Sequence, residues 1–160
     1  MVIKSKSKEM GAIMKNKYWI PIYIILQCTW GILQTFLGFV IFLLLIKRPH
    51  EFYNGSIKTK WNRHGGVSCG LFIFVTDENA GITTPETCNK LSVHEYGHTI
   101  QSIILGPLYP FVIGIPSVAW GNLPKFTKLR EEKNIPYSAC FSESWADRLG
   151  EKVTGMESIW

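Results

Sequence analysis

Residues 93–101 read "VHEYGHTIQ". On a helix, positions four apart lie one above the other on one face, so His94 and His98 present their imidazoles together. Glu95 is the next residue round from His94, near enough to touch a water on a shared metal ion without being forced to ligate it. Gln101 and Leu105 continue the histidine face, while Val93, Gly97, Ile100 and Ile104 make an opposite, apolar one. Asn89 or Ser92 is placed to cap this helix, and "GPLYP" after Leu105 stops it. Zinc needs such an arrangement: two neutral imidazoles at about 2.0–2.1 Å from the ion and a base beside its water. The pattern H-E-x-x-H alone recurs by chance in unrelated chains, so the rest of the sequence has to supply the remainder of a site.

Residues 141–150, "FSESWADRLG", offer it. Glu143 and Asp147 are again four apart on a helix-like stretch. A catalytic zinc takes a third protein ligand and keeps one position open. Glu143 can be that ligand, while Asp147 can accept the outer N–H of a ligand histidine and fix its tautomer. Gly97, which has no side chain, lets a second helix pack closely against the first.

If His98 and Glu143 meet at one ion, the chain between them must return to where it began. Residues 99–124 carry no charge and are long enough to span a bilayer. Gly106, Pro107, Pro110, Gly114 and Pro116 break that run where a straight helix would not survive. The expectation is a helix, a Pro/Gly turn and a returning apolar segment that lies in a membrane interface or dips into it. A buried core hairpin without lipid contact is the alternative.

A second uncharged run extends from Tyr18 to Ile46 between Lys15, Lys17 and Lys47, Arg48. A bilayer core needs about 20 helical residues, so the run predicts a transmembrane helix near Ile22–Ile46, started by Pro21 in its first turn. It is too long for the apolar region of a signal peptide and lacks the small-residue cleavage site. Gly31, Gln34 and Gly38 share one face, either tolerated on a lone anchor or in contact with a second membrane segment. Basic residues flank both ends, so the charges do not set the topology.

Between anchor and metal motif, Ser56–Trp61 alternates and Val67–Val75 is rich in β-formers, with "NRHGG" between them; this predicts a β-hairpin. Residues 76–89 are loop by composition, and 125–138 a mixed-charge, solvated connector. The net charge of +5 over 160 residues is concentrated beside the apolar run, which argues for a membrane surface and against a nucleic-acid partner. The four cysteines, Cys28, Cys69, Cys88 and Cys140, lack metal spacing. They read as buried free thiols, with a Cys88–Cys140 disulfide as the alternative in an exported domain.

His94–His98 with Glu143-Ser144-Trp145-Ala146-Asp147-Arg148-Leu149-Gly150 gives H-E-x-x-H followed by E-x-x-A-D-x-x-G, which resembles the gluzincin metallopeptidases. The likeness is to their membrane-embedded and minimal branches, and to small bacterial membrane proteins that carry "HEYGH" and "LGPLY". It covers roughly residues 19–150, and its motifs are specific for a zinc site and much weaker for any substrate. The resemblance implies one Zn2+ held by His94, His98 and Glu143, with Glu95 as general base and Asp147 behind a ligand histidine. It also implies a residue that steadies the tetrahedral oxyanion; His64, Tyr109, Tyr137 and Arg148 are candidates. The implied fold class is α+β: a basic tail over 1–18, a transmembrane helix over 19–46, and a small zincin-like domain over 47–160. The implied place is a bacterial inner membrane, with lipid and a peptide or membrane-protein substrate as partners.

Two classes of function follow. One is a membrane-bound zinc endopeptidase, with the Val67–Val75 strand as an edge for extended substrate. The other is a non-catalytic zinc-binding membrane protein, an accessory or immunity factor in which the ion staples two helices. A structural zinc prefers four protein ligands, mostly cysteine and histidine. Three ligands beside a free Glu95 favour the first class.

Overall fold

The computed structural model describes residues 18–160; of the basic tail expected over 1–18, all but Tyr18 lies outside them. The architecture is mixed α+β. Helices α1 (Trp19–Thr29) and α2 (Ile32–Leu44) precede four strands: β1 (His50–Tyr53), β2 (Ser56–Trp61), β3 (Gly66–Cys69) and β4 (Phe72–Thr76). Four helices follow: α3 (Pro85–Leu105), α4 (Ile115–Asn122), α5 (Pro124–Lys133) and α6 (Phe141–Thr154).

The run from Tyr18 to Ile46 is not one straight helix. It folds as α1 and α2, bent by 94° at Trp30–Gly31. Pro21 lies in the first turn of α1, which starts at Trp19 rather than near Ile22; there its missing N–H leaves no helical bond unmade. The break has a polar cause. Gln27 donates from Nε2 to the Thr99 carbonyl at 2.9 Å, and Gln34 donates to Ser102 Oγ at 2.7 Å and to the Gly106 carbonyl at 3.1 Å. Ser102 in turn donates to Gln27 Oε1 at 2.9 Å. A bend lets both buried glutamines reach the same stretch of α3, where each satisfies groups that would be costly to bury alone. Gly38 packs on Cys69 and Phe72, so the small and polar face of this run is spent on protein contact. No single described helix is long and apolar enough to cross a membrane, so the single anchor helix expected over 19–46 is not supported; two bent pairs, each taken together, reach the length and composition.

The sheet also departs from the expected hairpin. Its order is β1-β2-β4-β3. β1 and β2 pair antiparallel around Asn54-Gly55, both at positive φ (50° and 99°), the tight turn that Asn-Gly favours. The Val67–Val75 run is itself bent at Gly70 into the antiparallel pair β3–β4. β2 joins β4 in parallel, Ile57 opposite Phe72 through Trp61 opposite Thr76. Every residue of the central strand β4 is buried, and β3 is left as one edge.

α3 runs through the middle of the molecule. Thr84 caps it, accepting from the Thr87 N–H at 3.1 Å, with Pro85 in the first turn; the start is earlier than Asn89 or Ser92 because this Thr-Pro pair supplies cap and first turn together. Tyr23, Ile73, Val75, Leu91, Tyr96 and Ile100 form the core between α1, the sheet and α3. After Leu105 the chain turns at Gly106–Leu108 and doubles back through Pro110–Gly114 into α4, a bend of 120°. The helix, Pro/Gly turn and returning segment are therefore present. Residues 125–138 are more than a connector: α5 is a regular helix, with no buried residue.

Candidate metal centre

α3 and α6 meet at unusually short range. A Cβ on Gly97 would run into the Ala146 carbonyl, and one on Gly150 into the Val93 carbonyl. Each helix supplies the glycine where the other's backbone comes nearest, as Gly97 led us to expect. The approach places Glu143 under both histidines. His94 Nε2 lies 3.2 Å and His98 Nε2 3.5 Å from the same oxygen, Oε2 of Glu143. The three ligand atoms lie within 4.8 Å of one another, and all three residues are buried.

Each of the three is held from behind. His94 Nδ1 is 2.8 Å from Asp147 Oδ1, and His98 Nδ1 is 2.7 Å from Gln101 Oε1. Ser142 donates to Glu143 Oε1 at 2.9 Å, leaving Oε2 turned toward the imidazoles. Asp147 Oδ1 also accepts from Ser158 at 2.7 Å. Outer partners of this kind fix which ring nitrogen is free for a metal. The donor set suits a divalent cation: two imidazole nitrogens and one carboxylate oxygen converge, with their other polar atoms already bonded.

Glu95 completes the group. It is 4% exposed, and its Oε2 has no hydrogen-bond partner. Gly66 of β3 lies directly over its carboxylate, where a Cβ would collide. A buried carboxylate oxygen with nothing to accept from is costly, and is what a water or ion between Glu95 and the ligands would relieve.

The electrostatics follow from burial. Desolvation raises the Glu95 carboxyl above its ordinary value, against the attraction of His94 and His98. Burial works against a charged His94, yet its bonds to Asp147 and Glu143 prevail and push it up to about 10. Burial likewise opposes the Glu143 carboxylate, but both histidines hold that group well below the usual carboxylate range. Both shifts have the sign of an ion pair between His94 and Glu143.

These residues line a cavity of about 960 Å3. His64, Tyr109 and Tyr137 line it too. Arg148 does not: it is exposed on α6, its Nε donating to the Ser144 carbonyl at 3.2 Å. Trp160 also lines the cavity, with its ring 4.8 Å from that of Tyr137. Cys28, Cys69, Cys88 and Cys140 are free thiols, but only Cys69 and Cys88 are buried as expected; Cys28 is exposed and Cys140 half-buried. Sequence reasoning did not assign Gln101, Ser142, Ser158 or Gly66 to the site. Gln101 had a signal, one turn after His98 on the same face; Ser158 had none, because it arrives by a turn of the chain at Gly155. Comparison with known protein families, curated proteins and solved structures finds no match.

Proposed function

We propose that the protein is a membrane-associated zinc endopeptidase of the gluzincin type. The observation that carries this reading is Glu95: a buried carboxylate with a free oxygen beside two imidazoles and a third ligand, all facing one cavity. His94, His98 and Glu143 would hold the ion. A zinc ion held there would supply a Lewis acid, which typically lowers the pKa of a bound water to about 7.

The remaining work falls to the chain. Glu95 accepts the proton of the attacking water at Oε2 and returns it to the leaving amine nitrogen; its burial raises its proton affinity toward the range where one group can do both. Asp147 and Gln101 keep the ring nitrogens of His94 and His98 directed at the ion. Tyr109 and Tyr137 are two of the hydroxyl-bearing residues that line the cavity and are candidates to steady a tetrahedral oxyanion. β3, at the sheet edge and lining the cavity, has backbone groups free to pair with an extended peptide. Membrane association is supported by the apolar side chains exposed along both bent helix pairs, among them Phe36, Leu44, Phe111 and Ile115. Exposed apolar side chains gathered on the same elements mark a surface that a membrane or another protein covers.

The test is Glu95→Gln, which keeps size but cannot accept a proton. Proteolysis should fall by about 10²–10⁴-fold while zinc content stays at the wild-type level. If cellular function survives Glu95→Gln but not His94→Ala, the ion is a structural staple and the protein is not a peptidase.

A further inference from the structure

Gln101 is fully buried and touches both halves of the metal centre. Its Oε1 faces His98 Nδ1 at 2.7 Å, and its Nε2 donates to the Ser142 carbonyl at 2.8 Å. The second contact decides the first. A backbone carbonyl can only accept, so the amide must turn its nitrogen to Ser142 and its oxygen to His98. That oxygen can only accept as well, so His98 must carry its proton on Nδ1. In the neutral ring that a metal requires, the lone pair is then on Nε2, on the side where Glu143 Oε2 lies 3.5 Å away.

We infer that Gln101 is a positioning residue that sets the tautomer of His98 according to where the start of α6 sits. Ser142 immediately precedes Glu143, so the turn that delivers the third ligand also prepares the second. His94 is prepared differently, by the charged acceptor Asp147 on the same helix as Glu143. Both histidines therefore become competent ligands only when α6 is docked on α3. A chain with α6 displaced should retain two imidazoles but not a metal site. The inference rests on the proposed metal site and adds to it a division of labour among its supports.

Two variants separate positioning from mere packing. Gln101→Glu keeps an acceptor for His98 and loses the donor to Ser142; Gln101→Met loses both. Gln101→Met should weaken zinc affinity about 10–100-fold, the usual cost of losing such a support, and shift the visible d–d band of the Co2+-loaded protein. Gln101→Glu should melt at a lower temperature than wild type yet hold zinc as tightly. If both variants lose affinity in step with their melting temperatures, Gln101 only packs and the inference is overturned. A measurement on the unaltered chain guards against misfolded variants: 15N NMR of the zinc-loaded protein should show His98 protonated at Nδ1 and ligated through Nε2. Ligation of His98 through Nδ1 overturns the inference while leaving the metal site standing. A wild-type chain that takes up no zinc overturns both.

Discussion

Gly97 on α3 faces the backbone carbonyl of Ala146 on α6 with no room for a methyl group between them. The distance of Glu143 from both histidines depends on that contact, since Glu143 lies less than one turn before Ala146. Gly97→Ala should therefore damage the site from a position that touches no ligand. Overpacking at a tight helix contact costs about 1–3 kcal/mol. A drop in chemical-denaturation midpoint together with loss of bound zinc is the expected result. A variant that loses stability but keeps full zinc occupancy would show that the helices part without moving Glu143.

The ligands themselves give the plainest check. Purified protein should hold about one zinc per chain, as a single three-ligand site does. His94→Ala, His98→Ala and Glu143→Ala should each remove most of it. Elemental analysis after extensive dialysis reads this directly, and Glu143→Ala with undiminished zinc would rule out the third ligand.

Asp147 should matter to affinity rather than to occupancy. Asp147→Asn keeps the shape but weakens the acceptor behind His94, and zinc affinity should fall about 10–100-fold in a chelator competition. Arg148→Ala, one residue along on the exposed side of α6, should leave affinity unchanged.

The pH dependence has a definite sign. In the metal-free protein, His94 is raised from 6.5 to about 10. Its contribution to stability is then complete below 6.5 and is lost as pH rises through about 10. Glu143 is lowered from 4.5, so its contribution is present above 4.5 and is lost as pH falls toward its lower folded value. If His94 carries that proton at neutral pH, a zinc ion ligated by its Nε2 would displace it. Calorimetry in buffers of different ionisation enthalpy should show about one proton released per ion bound at pH 7, declining as the starting pH passes about 10. No proton release at pH 7 would mean that His94 is neutral before the ion arrives.

The exposed apolar faces of the two bent helix pairs lead to a physical test that needs no activity. The protein should remain in the membrane pellet through carbonate extraction. Recovery in the supernatant would mean that those faces are covered by protein instead.

The sequence made the chemistry of the site legible because i,i+4 spacing converts directly into a shared face. His94, His98, Glu143 and Asp147 stand in the relations their spacing predicts. Gly97 was legible for the same reason. The course of the apolar runs was harder to read. Gln27 and Gln34 look alike in a lone span and in a packed helix, and only the carbonyl of Thr99 and the hydroxyl of Ser102 decide between them. The sheet does carry one local signal: Asn54-Gly55 marks the first hairpin more strongly than "NRHGG" marks any. The parallel seam between β2 and β4 has no local signature, since it joins strands whose turns point elsewhere.

That seam has a consequence for assembly. The β1–β2 and β3–β4 pairs each close over two residues and should form early and independently, whereas pairing Ile57 with Phe72 must close the whole stretch of chain between them. Joining strands that are distant in sequence is the slower event, because the chain between them must first lose its freedom. β4 needs that neighbour before α3 can settle on a complete surface. The sheet is therefore two clasps that must meet before the helix carrying the histidines has a floor, and amide exchange should find its weakest line along the join rather than within either clasp.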